Sequence, residues 1–311
     1  MRRFLYRLLI FFMALVMVDF LFGLIMEQVF PLAKSGEIRE NNDICLNGQY
    51  DILIMGSSRA RHHYIPSIFQ EVSGQSCYNC GRNGCGAILM YGFHQMVTRR
   101  YTPGLIIYDL SRFDFHEIPA DDHNMRYIAP LRPYSMYPEI QEVFQAVSPL
   151  ERIKNNSSLF RYNTLTVDIL KDFFGLDISP YNPDGFCGLQ GVMDGAPGTP
   201  SDRSSEEDSI KIHFFKELLS SASRKGIPIV CVLSPKYNSN EQDSDFVYGP
   251  IKQICSDLEI PVLDYFHWPT ISSCKKYFKD PNHMNESGAV VFSHVIVDTL
   301  ISLDYLKPLN K

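Results

Sequence analysis

The chain has 311 residues, of which 45% are hydrophobic and 21% charged, with 19 glycines and 19 prolines. That composition excludes a disordered, collagen-like or disulfide-miniprotein chain and leaves room for one large domain or two small ones. Lys and Arg number 29 against 35 Asp and Glu, a formal net charge of −6, so no broad basic surface exists to follow a phosphate backbone and no nucleic-acid partner is expected.

Residues 8–26 (LLIFFMALVMVDFLFGLIM) are apolar but for one ionisable side chain, Asp19. About twenty apolar residues at ~1.5 Å rise each cross a hydrocarbon layer of about 30 Å, which predicts a membrane anchor over residues 1–30. Arg2, Arg3 and Arg7 precede the run and no positive excess follows it. The N-terminus is therefore expected in the cytoplasm, with the rest of the chain on the periplasmic or exterior side of the inner membrane. The run exceeds the ~7–15-residue core of a cleaved signal and no small-x-small cleavage site follows it, so an uncleaved single-pass anchor fits better. Asp19 either faces a partner helix, is partly neutralised, or is one tolerated polar residue of a single-pass anchor, the last being expected. Residues 31–50 are polar and without periodicity, and read as a short stalk.

An alternating pattern then runs over residues 51–311. Short apolar runs at 50–55, 76–80 and 104–110 read as buried strands. Helical segments at 66–72 and 87–100 separate them. Residues 112–205, rich in Tyr, Pro and Asn, read as an insertion with short helices at 138–147 and 165–174. Within it, the stretch at 179–202 is full of Gly, Pro and Asp and reads as loop. The alternation resumes with a helix at 206–225, a strand at 227–233, a helix at 246–258, a strand at 260–265 and a final helix at 286–303. Strands alternating with helices imply right-handed crossovers and an α/β class fold, a three-layer α/β/α sandwich around a parallel sheet.

Open parallel sheets place ligands at the carboxyl ends of their strands. Gly56-Ser57-Ser58-Arg59 follows the first predicted strand and Asn79-Cys80-Gly81-Arg82-Asn83-Gly84 the second. Asp280-Pro281-Asn282-His283 precedes the last helix. Together they offer a hydroxyl, flexible backbone amides and an acid–imidazole pair. Acyl transfer needs all of these: a nucleophile, a base for its proton, a group to orient the base, and donors where the oxyanion forms.

With those three blocks the sequence resembles the SGNH (GDSL-type) hydrolase family over most of residues 50–111 and 227–300. It is most similar to membrane-anchored, extracytoplasmic members that act on acylated cell-envelope polymers, which also carry Gly-Ser-Ser and a long insertion. The resemblance implies a flavodoxin-like sheet, a nucleophile at Ser58, a catalytic Asp280 and His283, and oxyanion donors at Ser58 and Gly84. It implies a serine esterase acting on O-acyl, chiefly O-acetyl, esters of an envelope glycan or a related small ester. An O-acyltransferase and a non-catalytic acylated-glycan binding protein are the other readings. No cofactor is implied. The family's third block supplies an Asn as a further oxyanion donor, whereas this chain has Asp109-Leu110-Ser111-Arg112-Phe113-Asp114. Ser111 or Arg112 is the expected substitute.

Other residues have plainer readings beside functional ones. His62 and His63 either line the pocket or face solvent at a helix start, the second being expected. Arg59, Arg61 and Arg82 suit either an anionic polymer or ordinary ion pairs. Asp109 and Asp114 are expected to be structural. Tyr127, Tyr134, Tyr137, Tyr162 and Tyr181 suit sugar stacking or the core of the insertion. Cys77, Cys80 and Cys85 lack a second Cys or His pair to complete a tetrahedral set, so no metal is expected.

Overall fold

The computed structural model describes residues 1–117, 124–176, 179–194, 206–239 and 241–309. Parts of the predicted insertion, at 118–123, 177–178 and 195–205, lie outside the described residues. Five strands form one parallel sheet: β1 (Ile52–Gly56), β2 (Cys77–Asn79), β3 (Leu105–Asp109), β4 (Ile229–Leu233) and β5 (Val262–Asp264). Their order is β2-β1-β3-β4-β5, with Ile54 opposite Ile107 and Asp109 opposite Val232. This is the flavodoxin-like order, and the direction of winding reverses between β1 and β3. Every residue of β1, β3 and β4 is buried, because strands covered on both faces have no side to give to polar residues.

The helices are α1 (Arg2–Val29), α2 (Gly36–Asn42), α3 (Ser58–His63), α4 (Pro66–Ser73) and α5 (Ala87–Thr98). In the insertion come α6 (Met125–Ile128), α7 (Pro138–Val147), α8 (Pro149–Lys154), α9 (Ser158–Tyr162) and α10 (Thr166–Phe173). They are followed by α11 (Ser209–Arg224), α12 (Glu241–Asp257), α13 (Pro269–Ser272) and α14 (Glu286–Ser302). Side chains of a strand point alternately to its two faces, so Ile52, Ile54 and Ile107 pack with Tyr64, Phe292 and Ile296 under α3, α4 and α14. Leu53, Met55 and Tyr108 pack with Phe93, Phe214 and Leu218 of α5 and α11 on the other face. The result is the three-layer sandwich expected from the alternation.

At the N-terminus, the helix from Arg2 to Leu32 is long and apolar enough to cross a membrane. Residues 31–50 depart from the stalk reading. They fold as α2 and a turn that pack on the domain, with Glu40 and Asn42 fully buried. Their buried face mixes Ala33, Ile44 and Cys45 with polar groups that have partners: Asn42 Nδ2 donates to the Phe30 carbonyl at 2.7 Å, and the Arg61 guanidinium lies 3.1 Å from the Glu40 carboxylate. Buried Glu40, Asn41, Asn42 and Asp43 interrupt any hydrophobic period in this stretch.

Candidate active site

β1 ends at Gly56, whose φ of +139° favours glycine. A Cβ there would come within 2.6 Å of the Asp109 carbonyl oxygen. Glycine therefore lets β1 run close beside β3 before the chain turns into α3, which Ser58 opens. The loop after β2 is tied to the same strand end. Cys80 N–H donates to the Ile54 carbonyl at 2.7 Å and Arg82 N–H to the Gly56 carbonyl at 3.2 Å. Gly81 packs without room for a side chain against the backbone of Arg61.

Ser58 Oγ lies 2.7 Å from His283 Nε2, a contact between residues 225 positions apart. On the other side of the ring, His283 Nδ1 is 2.8 Å from Asp280 Oδ2 and 3.0 Å from Oδ1. With the serine O–H donating to Nε2, the ring proton sits on Nδ1 and is donated to Asp280. Asp280 Oδ1 also accepts the backbone N–H groups of Asn282 and His283, at 2.8 and 3.0 Å. Partial burial works to raise the Asp280 carboxyl, but these hydrogen bonds, first that of the His283 ring, outweigh it and hold the group below its ordinary value. The side chains of His283 and Asp280 remain 25% and 44% exposed. All three expected residues are thus brought into one hydrogen-bonded chain.

Ser58 N–H, first in its helix, has no carbonyl of that helix to bind. Gly84 holds φ at +64° in the turn after Arg82, and the Arg126 guanidinium of α6 packs directly over it. Ser111 departs from its expected role. Both its N–H and its hydroxyl donate to Asp114 Oδ2, at 2.6 and 3.1 Å, closing a capping box on the short turn Arg112–Asp114. A hydroxyl used for a cap is not aimed at a substrate carbonyl. Arg112 opens that turn and acts electrostatically on Tyr248.

Beneath this hydrogen-bonded chain lies a buried polar bed. Arg59, next to the serine, faces Asp109 at 3.7 Å and donates through Nε to Ser234 Oγ at 3.0 Å and through Nη1 to Tyr248 O–H at 3.2 Å. It also donates to the Ser234 carbonyl. Tyr64 O–H donates to Asp109 Oδ2 at 2.5 Å. Burial pushes the Asp109 carboxyl up, against the pull of Arg59.

His63, expected at the surface, is fully buried. Its Nε2 accepts the Met284 N–H at 2.9 Å, so Nδ1 carries the proton and donates to Ser234 Oγ at 2.9 Å. Burial above all, then the charge of Arg59, holds this imidazole well below its ordinary value. His63 therefore grips the backbone one residue beyond His283. His62 is buried as well. Its Nδ1 donates to the Cys187 carbonyl at 2.6 Å, and its ring stands edge-on to that of His283 at 5.6 Å.

Other candidates resolve into structure. Arg61 and Arg82 flank buried Glu40, at 3.1 and 3.5 Å, so neither is spare for a polymer. Tyr127, Tyr134 and Tyr162 are core of the insertion. Sequence reasoning passed over Ser234 and misplaced His62 and His63. The signal for Ser234 was its position, immediately after β4 at a strand's carboxyl end.

No family model matches the chain, and no curated protein matches it. Solved structures do. A protein assigned as an acylhydrolase from Bacteroides fragilis is 13% identical, with 82% of this chain and 87% of that one covered and a TM-score of 0.39. A protein assigned to the G-D-S-L lipolytic family from Desulfitobacterium hafniense is 11% identical, with 80% and 99% covered and a TM-score of 0.41. A GDSL-like lipase from Bacteroides thetaiotaomicron is 12% identical, with 81% and 88% covered and a TM-score of 0.39. Chemistry at this site rests on the chain's own residues.

Proposed function

We propose that the chain is an SGNH-type serine ester hydrolase held to the membrane by α1, its catalytic domain on the periplasmic or exterior side. The observation that carries this reading is the 2.7 Å contact of Ser58 Oγ with His283 Nε2, backed by Asp280 at 2.8 Å. His283 takes the Ser58 proton as the oxygen attacks an ester carbonyl, and Asp280 holds the ring tautomer and stabilises the imidazolium. The amides of Ser58 and Gly84 receive the oxyanion. The proton then passes from His283 to the leaving alcohol, and water releases the acyl group from Ser58. A sugar hydroxyl in place of that water makes the same site a transferase.

An O-acyl, chiefly O-acetyl, group on an envelope glycan is the substrate we assign. Supporting it are the open rim at His283 and Asp280, accessible to an ester carried on a polymer, and the resemblance to envelope-directed hydrolases. A second reading, a binding protein that keeps the fold without turnover, is favoured by one observation: Ser111 is committed to Asp114. Lacking one oxyanion donor costs roughly 10²–10³ in rate, which slows this enzyme without abolishing its chemistry.

The test is acetate release from acetylated envelope polysaccharide, and hydrolysis of an activated acetyl ester, by the full chain in detergent. Wild type is expected to turn over both and the Ser58→Ala protein neither. Equal rates from the two proteins would refute the reading. Binding of the polysaccharide without release by either would establish the second one.

A further inference from the structure

Residues 2–18 of α1 expose every side chain, a length of about 26 Å at ~1.5 Å per residue. From Asp19 onward the helix is bolted to the insertion. Asp19 Oδ1 accepts the Ser157 hydroxyl at 2.7 Å and the Leu159 N–H at 2.8 Å, and Oδ2 accepts the Ser158 N–H at 3.1 Å. Gly23 packs against Ser158 with no room for a Cβ. Glu27 pairs with Arg161 at 3.3 Å, and the rings of Phe22 and Phe30 meet Tyr162. The anchor is therefore not a tether. It holds α9 at a fixed height, about 26 Å along the helix from Arg2, a little under the hydrocarbon thickness of about 30 Å.

Exposed apolar surface does not stop at that height. Phe20, Leu21, Leu24 and Ile25 remain open on the free face of α1. In the segment that α1 packs against, Leu150 and Ile153 of α8 and Leu159 of α9 are 57%, 65% and 44% exposed. Only three residues separate α8 from Ser158, so α8 lies close in the chain to the helix that α1 grips. Arg152 and Lys154, also exposed, flank these apolar side chains. Apolar side chains rimmed by cations, on a segment that a spanning helix grips, match the interfacial layer of a bilayer with anionic headgroups.

We infer that the α8–α9 segment lies in the headgroup layer of the outer leaflet, so that anchor and insertion form one membrane-seated unit. The inference rests on reading α1 as a membrane span. In this arrangement the hydrocarbon ends near Asp19 rather than at Met26, where the apolar run ends, and Asp19 does not face lipid because α9 fills its acceptors. The insertion sets the distance and tilt of the hydrolase domain over the membrane.

Trp268 is the chain's single tryptophan and packs with Tyr265 in the other layer of the fold. It serves as the internal reference for Ile153→Trp, Leu159→Trp and Leu15→Trp variants of the full chain. Each is reconstituted into phosphatidylcholine–phosphatidylglycerol vesicles whose acyl chains carry bromine, a tryptophan quencher, either near the headgroup or near the chain end. The Ile153→Trp and Leu159→Trp proteins are expected to lose emission, more with shallow bromine than with deep. Leu15→Trp, about 6 Å along the helix inside Asp19, is expected to lose emission with both bromine positions, and more with deep bromine than either insertion variant does. If Leu15→Trp is quenched while both insertion variants match the parent protein, the inference is overturned, the patch belongs to another partner, and α1 remains an anchor. If Leu15→Trp also matches the parent, the anchor reading itself falls.

Discussion

Helix α3 carries two regions that differ in kind. At its rim, Ser58 meets an imidazole and a carboxylate that water still reaches, with 25% and 44% of their side chains exposed. On its inner side, Arg59 and His63 are sunk into a bed with Asp109, Ser234, Tyr64 and Tyr248. The rim can meet a substrate and exchange protons with solvent. The bed cannot, yet it decides where the rim residues stand, because His63 holds the Met284 amide beside His283. Chemistry and positioning are thus divided between neighbouring residues of one short helix.

The division predicts effects of different kinds on the two sides. Asp280→Ala is expected to lower kcat for an activated ester by about 10⁴-fold, since the imidazole loses its tautomer and orientation, while the denaturation midpoint stays near that of wild type. A comparable loss of stability would place Asp280 in the bed instead. Arg59→Ala should do the reverse, costing roughly 3–5 kcal/mol in urea denaturation by leaving Asp109 buried and unpaired. An unchanged midpoint would mean the bed bears little of the fold.

Acid titration sharpens the contrast. Burial holds His94, on α5 against Ser221, down to about 4. The unfolded chain takes up this proton below about 6.5 and the folded chain only near 4, so stability falls as pH drops through that window. At about 1.4 kcal/mol per pKa unit, the loss is roughly 3 kcal/mol. Asp114, pushed up to about 7 by burial, has the opposite sign: its folded form keeps a proton that the unfolded chain releases, which favours low pH. The quantity to measure is therefore the difference between wild type and His94→Gln in denaturation midpoint at pH 6.5 and 4.5. The wild type should lose more, and parallel behaviour would remove His94 from the account.

His63→Gln tests the link between the regions. A displacement of His283 by about 1 Å is worth about 10²-fold in kcat, with KM unchanged. A loss of stability with full kcat would make His63 structural only.

The strands were legible because burial on both faces leaves continuous apolar runs, and the meeting of Ser58, His283 and Asp280 because each sits at a strand end or just before a helix. The bed was not. His63 and Ser234 lie 171 residues apart, and nothing in a His-His pair at a helix start tells which partner awaits it. Glu40 was hidden for the same reason, in a polar stretch whose order comes from Arg61 and Arg82. Ser111 occupied the right position for an oxyanion donor, but a carboxylate three residues on captured it. Asp19 offered a partner helix, partial neutralisation or mere tolerance, the last expected, and its partner proved to be α9, 138 residues away.

The most direct test of the central claim is site mapping with a fluorophosphonate, which reacts only with an activated serine. Full chain in detergent is treated, digested and analysed by mass, beside the Ser58→Ala and His283→Ala proteins. The account predicts one phosphonyl adduct, on the peptide containing Ser58, absent from both variants. An adduct on another serine, or none on folded wild type, would contradict it.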